Sequence, residues 1–188
     1  MHKTNYFKRL RMQFDFAKSE VAAPELPDGY RLRGWHPVLL KSHAIAKQAS
    51  FAGEMDCQLF PCLRSYAGCE DLVRSIVTHS CFLPSATWII EFTANEIAGP
   101  QPVACIQGMW DSSTAGAIQN VGVVPEHRGF GLGRAILQQS LLGFQQSGIQ
   151  RISLHVTAEN VPALELYQSV GFECVDTVYR ALPETTAI

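Results

Sequence analysis

Hydrophobic residues recur along this chain with two periods, and the switches between them mark its elements. Leu10, Met12, Phe14 and Phe16 alternate with Arg11, Gln13 and Asp15, a period of two that predicts a strand. Pro24, Pro27 and Asp28-Gly29 make Lys18 to Gly29 a linker before a short strand at Tyr30 to Trp35. Helical spacing governs Pro37 to Phe51 and Leu63 to His79, with an irregular link around Gly53 to Pro61. Strands are predicted at Thr87 to Thr93 and Val103 to Trp110, joined by a turn containing Asn95, Gly99 and Pro100. A hairpin loop at Asp111 to Gly116 leads into a further strand, Ala117 to Val124. Ala135, Ile136, Leu137, Leu141, Leu142 and Phe144 then form an amphipathic helix that stops at Ser147-Gly148. In the strand Arg151 to Val156, Ile152, Leu154 and Val156 face one way and Arg151, Ser153 and His155 the other. A short helix from Asn160 to Val170, closed by Gly171, precedes a last strand from Phe172 through Tyr179.

This order predicts a single α/β domain, residues 29–188, with an N-terminal extension, residues 1–28, that carries an extra strand. An added strand brings an unpaired edge that another chain can use, which allows a homodimer.

Composition narrows the function. With 188 residues, 47% hydrophobic and 17% charged, the chain suits one domain with a sizeable core. Its net charge of −2 lacks the basic excess of a nucleic-acid binder, and the cluster Lys3, Lys8, Arg9 and Arg11 reads as a solvated edge. No apolar run suits a membrane span or secretion signal, so the expected compartment is cytoplasmic and no membrane partner is expected. The six cysteines lack C-x-x-C spacing, and Cys57, Cys62, Cys69 and Cys81 read as reduced residues of a packed helical region rather than a metal site.

The stretch His127 to Arg134, HRGFGLGR, sits between a strand and a helix. Gly129, Gly131 and Gly133 allow a tight turn that brings several N–H groups, and the positive end of the helix, close to an anion. A nucleoside-triphosphate loop would need Lys and then Ser or Thr after its last glycine, whereas Arg134 and Ala135 follow here. The G-x-G-x-x-G spacing of a dinucleotide fold is also missing. Arg128-x-x-Gly131-x-Gly133 resembles instead the Q/R-x-x-G-x-G/A signature of the GNAT superfamily, the acetyl-CoA-dependent N-acyltransferases. Asn160, Ala163, Tyr167 and Gly171-Phe172 match a second family pattern, N-x-x-A-x-x-x-Y-x-x-x-G-F, in the right order.

The resemblance implies a mostly antiparallel mixed central sheet flanked by helices, with acetyl-CoA as co-substrate and a small-molecule or peptide amine as acceptor. It places Val121, Gly122 and Val123 beside the thioester and pantetheine, and Arg128, Gly129, Phe130, Gly131, Leu132, Gly133 and Arg134 at the pyrophosphate. Gly122 is then a point of close cofactor approach. Asn160 caps its helix, contacts the cofactor, or does both, and Ala163 is small because the cofactor or a helix packs on it. Tyr167 matches the family tyrosine near the thioester sulfur, and a phenol with a pKa of about 10 stays protonated at neutral pH, ready to donate. Its alternative is a buried core tyrosine. A base is needed because an amine with a pKa near 10.4 is only about 0.04% neutral at pH 7. Ribosomal-protein alanine acetyltransferases carry a strand glutamate five residues before the matching asparagine, where this chain has His155. Glu91 and Asp111 are further candidates.

The closing string YQSVGF, followed by Asp176 to Tyr179, also resembles the terminal motif of mycothiol synthases, which acetylate a small-molecule amine. A non-catalytic acyl-CoA-binding module is the alternative, favoured by the missing glutamate and opposed by Tyr167.

Overall fold

A computed structural model describes residues 6–94, 97 and 99–181. Seven strands form one sheet: β1 Tyr6–Asp15, β2 Tyr30–Gly34, β3 Phe82–Phe92, β4 Gln101–Trp110, β5 Ala115–Val123, β6 Arg151–Thr157 and β7 Glu173–Ala181. Five α-helices accompany them: α1 Leu40–Phe51, α2 Asp56–Leu59, α3 Tyr66–Thr78, α4 Leu132–Gln146 and α5 Val161–Val170. The predicted elements are all present, and the link read as irregular holds the one-turn helix α2 and a 3₁₀ turn at Pro61–Arg64. The predicted turn residue Asn95 lies outside the described residues, and Gly99 takes the left-handed conformation at φ +69°.

Alternation decides which layer each residue joins. On neighbouring strands Ile89 and Cys105 pack with Leu39 and Ala46 on the α1 side. Ile90, Ala104 and Ile106 join Ile136, Leu137, Leu141 and Phe144 of α4 on the other. Helices therefore cover both faces of the sheet.

The strand order is β2-β3-β4-β5-β6-β1-β7. All pairs are antiparallel except β5 with β6, where register pairing runs only from Ala115 opposite Arg151 to Ala117 opposite Ser153. Beyond that the two strands part, and the gap in the sheet becomes a cleft.

The N-terminal strand departs from expectation. It lies inside the sheet, bonded to β6 on one edge and β7 on the other, so it offers no free edge to a second chain. Its apolar alternation explains the placement: Met12 and Phe14 are fully buried in the main core, and the Phe14 ring lies 5.5 Å from Phe172. Among the described residues, the unpaired edges belong to β2 and β7.

Candidate functional site

The glycine loop becomes a cradle because of what its amides lack. Gly129 and Gly131 have φ of +83° and +80°, conformations that a side chain would strain. A Cβ at either would meet nothing within 4 Å, so the ground beside the turn is open. The first intrahelical bond runs from Ala135 N–H to Gly131 O, and among the described residues no acceptor takes the N–H groups of Gly129 through Arg134. Six consecutive donors at the N-terminus of a fifteen-residue helix suit a pyrophosphate.

These groups border a cavity of about 540 Å³ that Val121, Gly122, Val123, Arg128, Gly129, Gly131, Leu132, Gly133, Arg134, Asn160, Ala163 and Tyr167 all line. Phe130 is the exception in the loop: it is not part of that lining, and its half-exposed ring lies 6.2 Å from Tyr30.

Two glycines have reasons other than the expected one. A Cβ on Gly122 would lie 2.7 Å from Ser50 Cβ and 3.1 Å from the Phe51 ring, so its smallness admits α1. At Gly133 the Cβ would lie 3.1 Å from Leu166 of α5, which makes this glycine a helix-packing contact. Arg128 is also engaged: Nε donates to Val123 O and Nη2 to Ser50 O, both at 3.0 Å, and Nη1 pairs with Glu54 at 2.8 Å. Arg134 donates to the Ser169 hydroxyl at 2.8 Å.

Asn160 caps its helix, its Oδ1 accepting from Ala163 N–H at 3.3 Å, and it also lines the cavity. Gly171, at φ +113°, ends α5, and the Phe172 N–H returns to Tyr167 O.

A second cavity, of about 810 Å³, opens where β5 and β6 part. His155, Asp111, Asn120, Arg9, Arg11 and Arg180 are on its walls. The cavities share six residues: Phe51, Asp56, Val121, Asn160, Ala163 and Tyr167. Among these are a phenol, Tyr167, and a carboxylate, Asp56. Burial, and next the charge of Asp56, push the Tyr167 phenol above its ordinary range, which keeps it protonated.

Asp56 was not legible in the sequence, because nothing in the spacing of Gly53 to Pro61 distinguishes it. Here its Oδ1 accepts from the Thr157 hydroxyl at 3.1 Å and lies 3.6 Å from Nη1 of Arg9. Arg9 corrects the solvated-edge reading: its side chain is only 12% exposed, because Arg9 and Arg11 of β1 face the cleft while Leu10, Met12 and Phe14 face the core. Lys3 of that cluster lies outside the described residues.

His155 stands two residues from Thr157 on β6, on the second cavity and not on the shared neck. Register pairing sets it beside Arg11, and burial followed by the charges of Arg9 and Arg11 lowers its pKa, against a raising influence of Asp176. Glu91 drops out, since it is buried on β3, bonded to Arg33 at 3.2 Å, and lines neither cavity. All six cysteines are free thiols. No helix of the described residues is long and apolar enough to cross a membrane.

Comparison with known proteins gives this geometry a family. A model described as the acetyltransferase (GNAT) family matches residues 64–172. A mycothiol acetyltransferase of Thermobispora bispora is 32% identical over 163 residues, 85% of this chain and 52% of that protein. Its counterpart in Beutenbergia cavernae is 30% identical over 161 residues, 82% of this chain and 49% of the relative. The chain thus spans about half the length of these curated relatives. Among solved structures, a GCN5-related N-acetyltransferase from Sphaerobacter thermophilus superposes with TM-score 0.67 at 21% identity, over 94% of this chain and 52% of that one. A tandem GNAT protein of the clavulanic acid pathway gives TM-score 0.63 at 14% identity, over 98% and 56%.

Proposed function

The chain belongs to the GNAT acetyltransferase family, and from that footing we propose that it is an acetyl-CoA-dependent N-acetyltransferase acting on a small-molecule primary amine. The observation that carries the proposal is the meeting of the amide-lined cavity and the second cavity at one neck, with Tyr167 and Asp56 on it. The names of the relatives, mycothiol acetyltransferases, support a metabolite over a polypeptide as acceptor.

Acetyl-CoA supplies a thioester whose carbonyl carbon is open to direct attack by an amine, with no covalent enzyme intermediate. The amides of Gly129 to Arg134 hold its pyrophosphate, and Val121, Asn160 and Ala163 border its acyl end. In the second cavity, Asp56 holds the acceptor's ammonium at the neck, its carboxylate fixed by Thr157 and Arg9. His155 draws off the proton, through water, because two residues along a strand span about 7 Å. Tyr167, kept protonated by its burial, donates to the departing sulfur.

Incubation with acetyl-CoA and a panel of small amines, with free CoA as readout, tests the reading. Release of CoA that depends on the amine supports it. Tight acetyl-CoA binding without release for any amine would leave an acyl-CoA-binding module in its place.

A further inference from the structure

The two edges of the sheet that are free among the described residues differ in what they offer a neighbour. β2 has five residues, and its exposed side chains are Arg31 and Arg33, so a second β2 laid against it about Leu32 would set arginine opposite arginine. That edge is blunted. β7 has nine residues, all exposed, with neither the proline nor the lysine that commonly guards such an edge. On it Val175, Val178 and Tyr179 are 48%, 42% and 66% exposed.

A bulge at Val175 interrupts the pairing of β7 with β1, since Met12 stands opposite Cys174 and Arg11 opposite Asp176. From Asp176 to Ala181 the register against β1 is regular, so the outer side of that stretch is a regular edge too. Alternation puts Asp176, Val178 and Arg180 on the cleft side, opposite Arg11, Arg9 and Phe7. The Asp176 carboxylate accepts from Thr177 N–H at 2.7 Å, and the Arg180 guanidinium lies 4.5 Å over the Phe60 ring. Neither is in a salt bridge among the described residues.

An acid and a base four residues apart on one strand, with an apolar residue midway, complement themselves when the strand is turned end for end. A two-fold axis normal to the sheet keeps each residue on its own face, so only residues of the same parity can stand opposite each other. Centred on Val178, the axis sets Asp176 against Arg180 of the second copy, Arg180 against its Asp176, and the two Val178 side chains against each other. On the opposite face Thr177 meets Tyr179. Moving the axis to any other residue of β7 parts the two charges.

We propose that β7 is the edge through which this protein associates with a second copy of itself: the two β7 strands pair antiparallel about Val178 and join two seven-stranded sheets into one. The contact is isologous, so both ion pairs form together. Because Asp176, Val178, Tyr179 and Arg180 also wall the second cavity, the cavities of the two copies come to lie on either side of the axis.

Light scattering on the full chain should give twice its 20.8 kDa. Asp176→Arg and Arg180→Asp each set like charges opposite one another at both ends of the pairing, so each should give the monomer mass at the same concentration. Mixed in equal amounts they should return to the dimer, because every opposed pair is then unlike. A wild type that is monomeric, a single variant that stays dimeric, or a mixture that stays monomeric would each overturn the proposal. Val178→Cys combined with Cys174→Ser keeps the test open where a charge reversal fails to fold, since it sets a thiol on the axis opposite that of its own copy. Oxidation by diamide should link this protein into a disulfide dimer on a non-reducing gel and leave the Cys174→Ser protein unlinked, and absence of the linked dimer would overturn the proposal.

Discussion

Nη1 of Arg128 lies 2.8 Å from Oε1 of Glu54, so the arginine that opens the glycine loop is tied to the segment following α1. With its bonds to Ser50 O and Val123 O, the guanidinium joins the end of α1 to the end of β5 across the rim of the cavity. The ion pair is 47% and 39% exposed at its two side chains, so its share is under about 1 kcal/mol. Glu54→Gln should therefore shift urea-unfolding stability little. Arg128→Met, which also leaves two carbonyls without a donor, should cost about 1–3 kcal/mol and weaken acetyl-CoA binding by calorimetry.

Replacing Gly131 separates cradle from helix packing. Its φ of +80° makes Gly131→Val strained by at least about 1–2 kcal/mol, and relief of that strain moves the amides. Acetyl-CoA affinity should fall tenfold or more in the folded variant. Gly133→Ala, whose Cβ meets the ends of Leu166 at 3.1 Å and Val123 at 3.7 Å, should disturb thermal stability more than affinity.

Tyr167→Phe removes one proton donor from a buried ring and little else. Acetyl-CoA affinity should stay close to wild type while kcat falls by about 10²–10⁴ when chemistry is rate-limiting. Unchanged kcat under that condition would make Tyr167 a core residue, consistent with its 5.9 Å ring contact to Phe172.

For His155 the neutral ring is the active form, so kcat/KM should rise with pH through its apparent pKa. Burial and the two arginines place that limb below the ordinary histidine value of about 6.5. His155→Ala should flatten it, and His155→Glu should restore part of the rate with the limb at still lower pH. A limb that persists in the alanine variant would transfer the proton to Asp56 or to a water chain.

His43 links stability to pH. Burial and the charge of Lys47 hold its folded pKa down to about 3, below the unfolded value of about 6.5, so the unfolded chain binds the proton first as pH falls. The stabilising contribution is complete above pH 6.5 and is lost as pH falls toward 3, at about 1.4 kcal/mol per pH unit in the middle of that window. Urea unfolding of wild type and His43→Gln between pH 7 and about pH 4 should show that slope in the first protein and its absence in the second.

What the sequence determined is what neighbouring residues decide among themselves. The turn at Gly129 and Gly131, the open amides before α4, the Asn160 cap and the Gly171 stop are all settled within a few residues, by allowed backbone angles and local hydrogen bonds. The same holds for which side of β1 or β6 is apolar, because alternation needs no partner. Period two does not say which strand lies alongside. Only the tertiary structure set β1 between β6 and β7, and so brought Arg9 to Asp56, 47 residues away in sequence and 3.6 Å away in space. Lys47 and Asn120, 73 residues apart, meet for the same reason. Their encounter depends on how α1 lies across β4 and β5, which follows from burial summed over the whole core and is written in no short stretch of the chain.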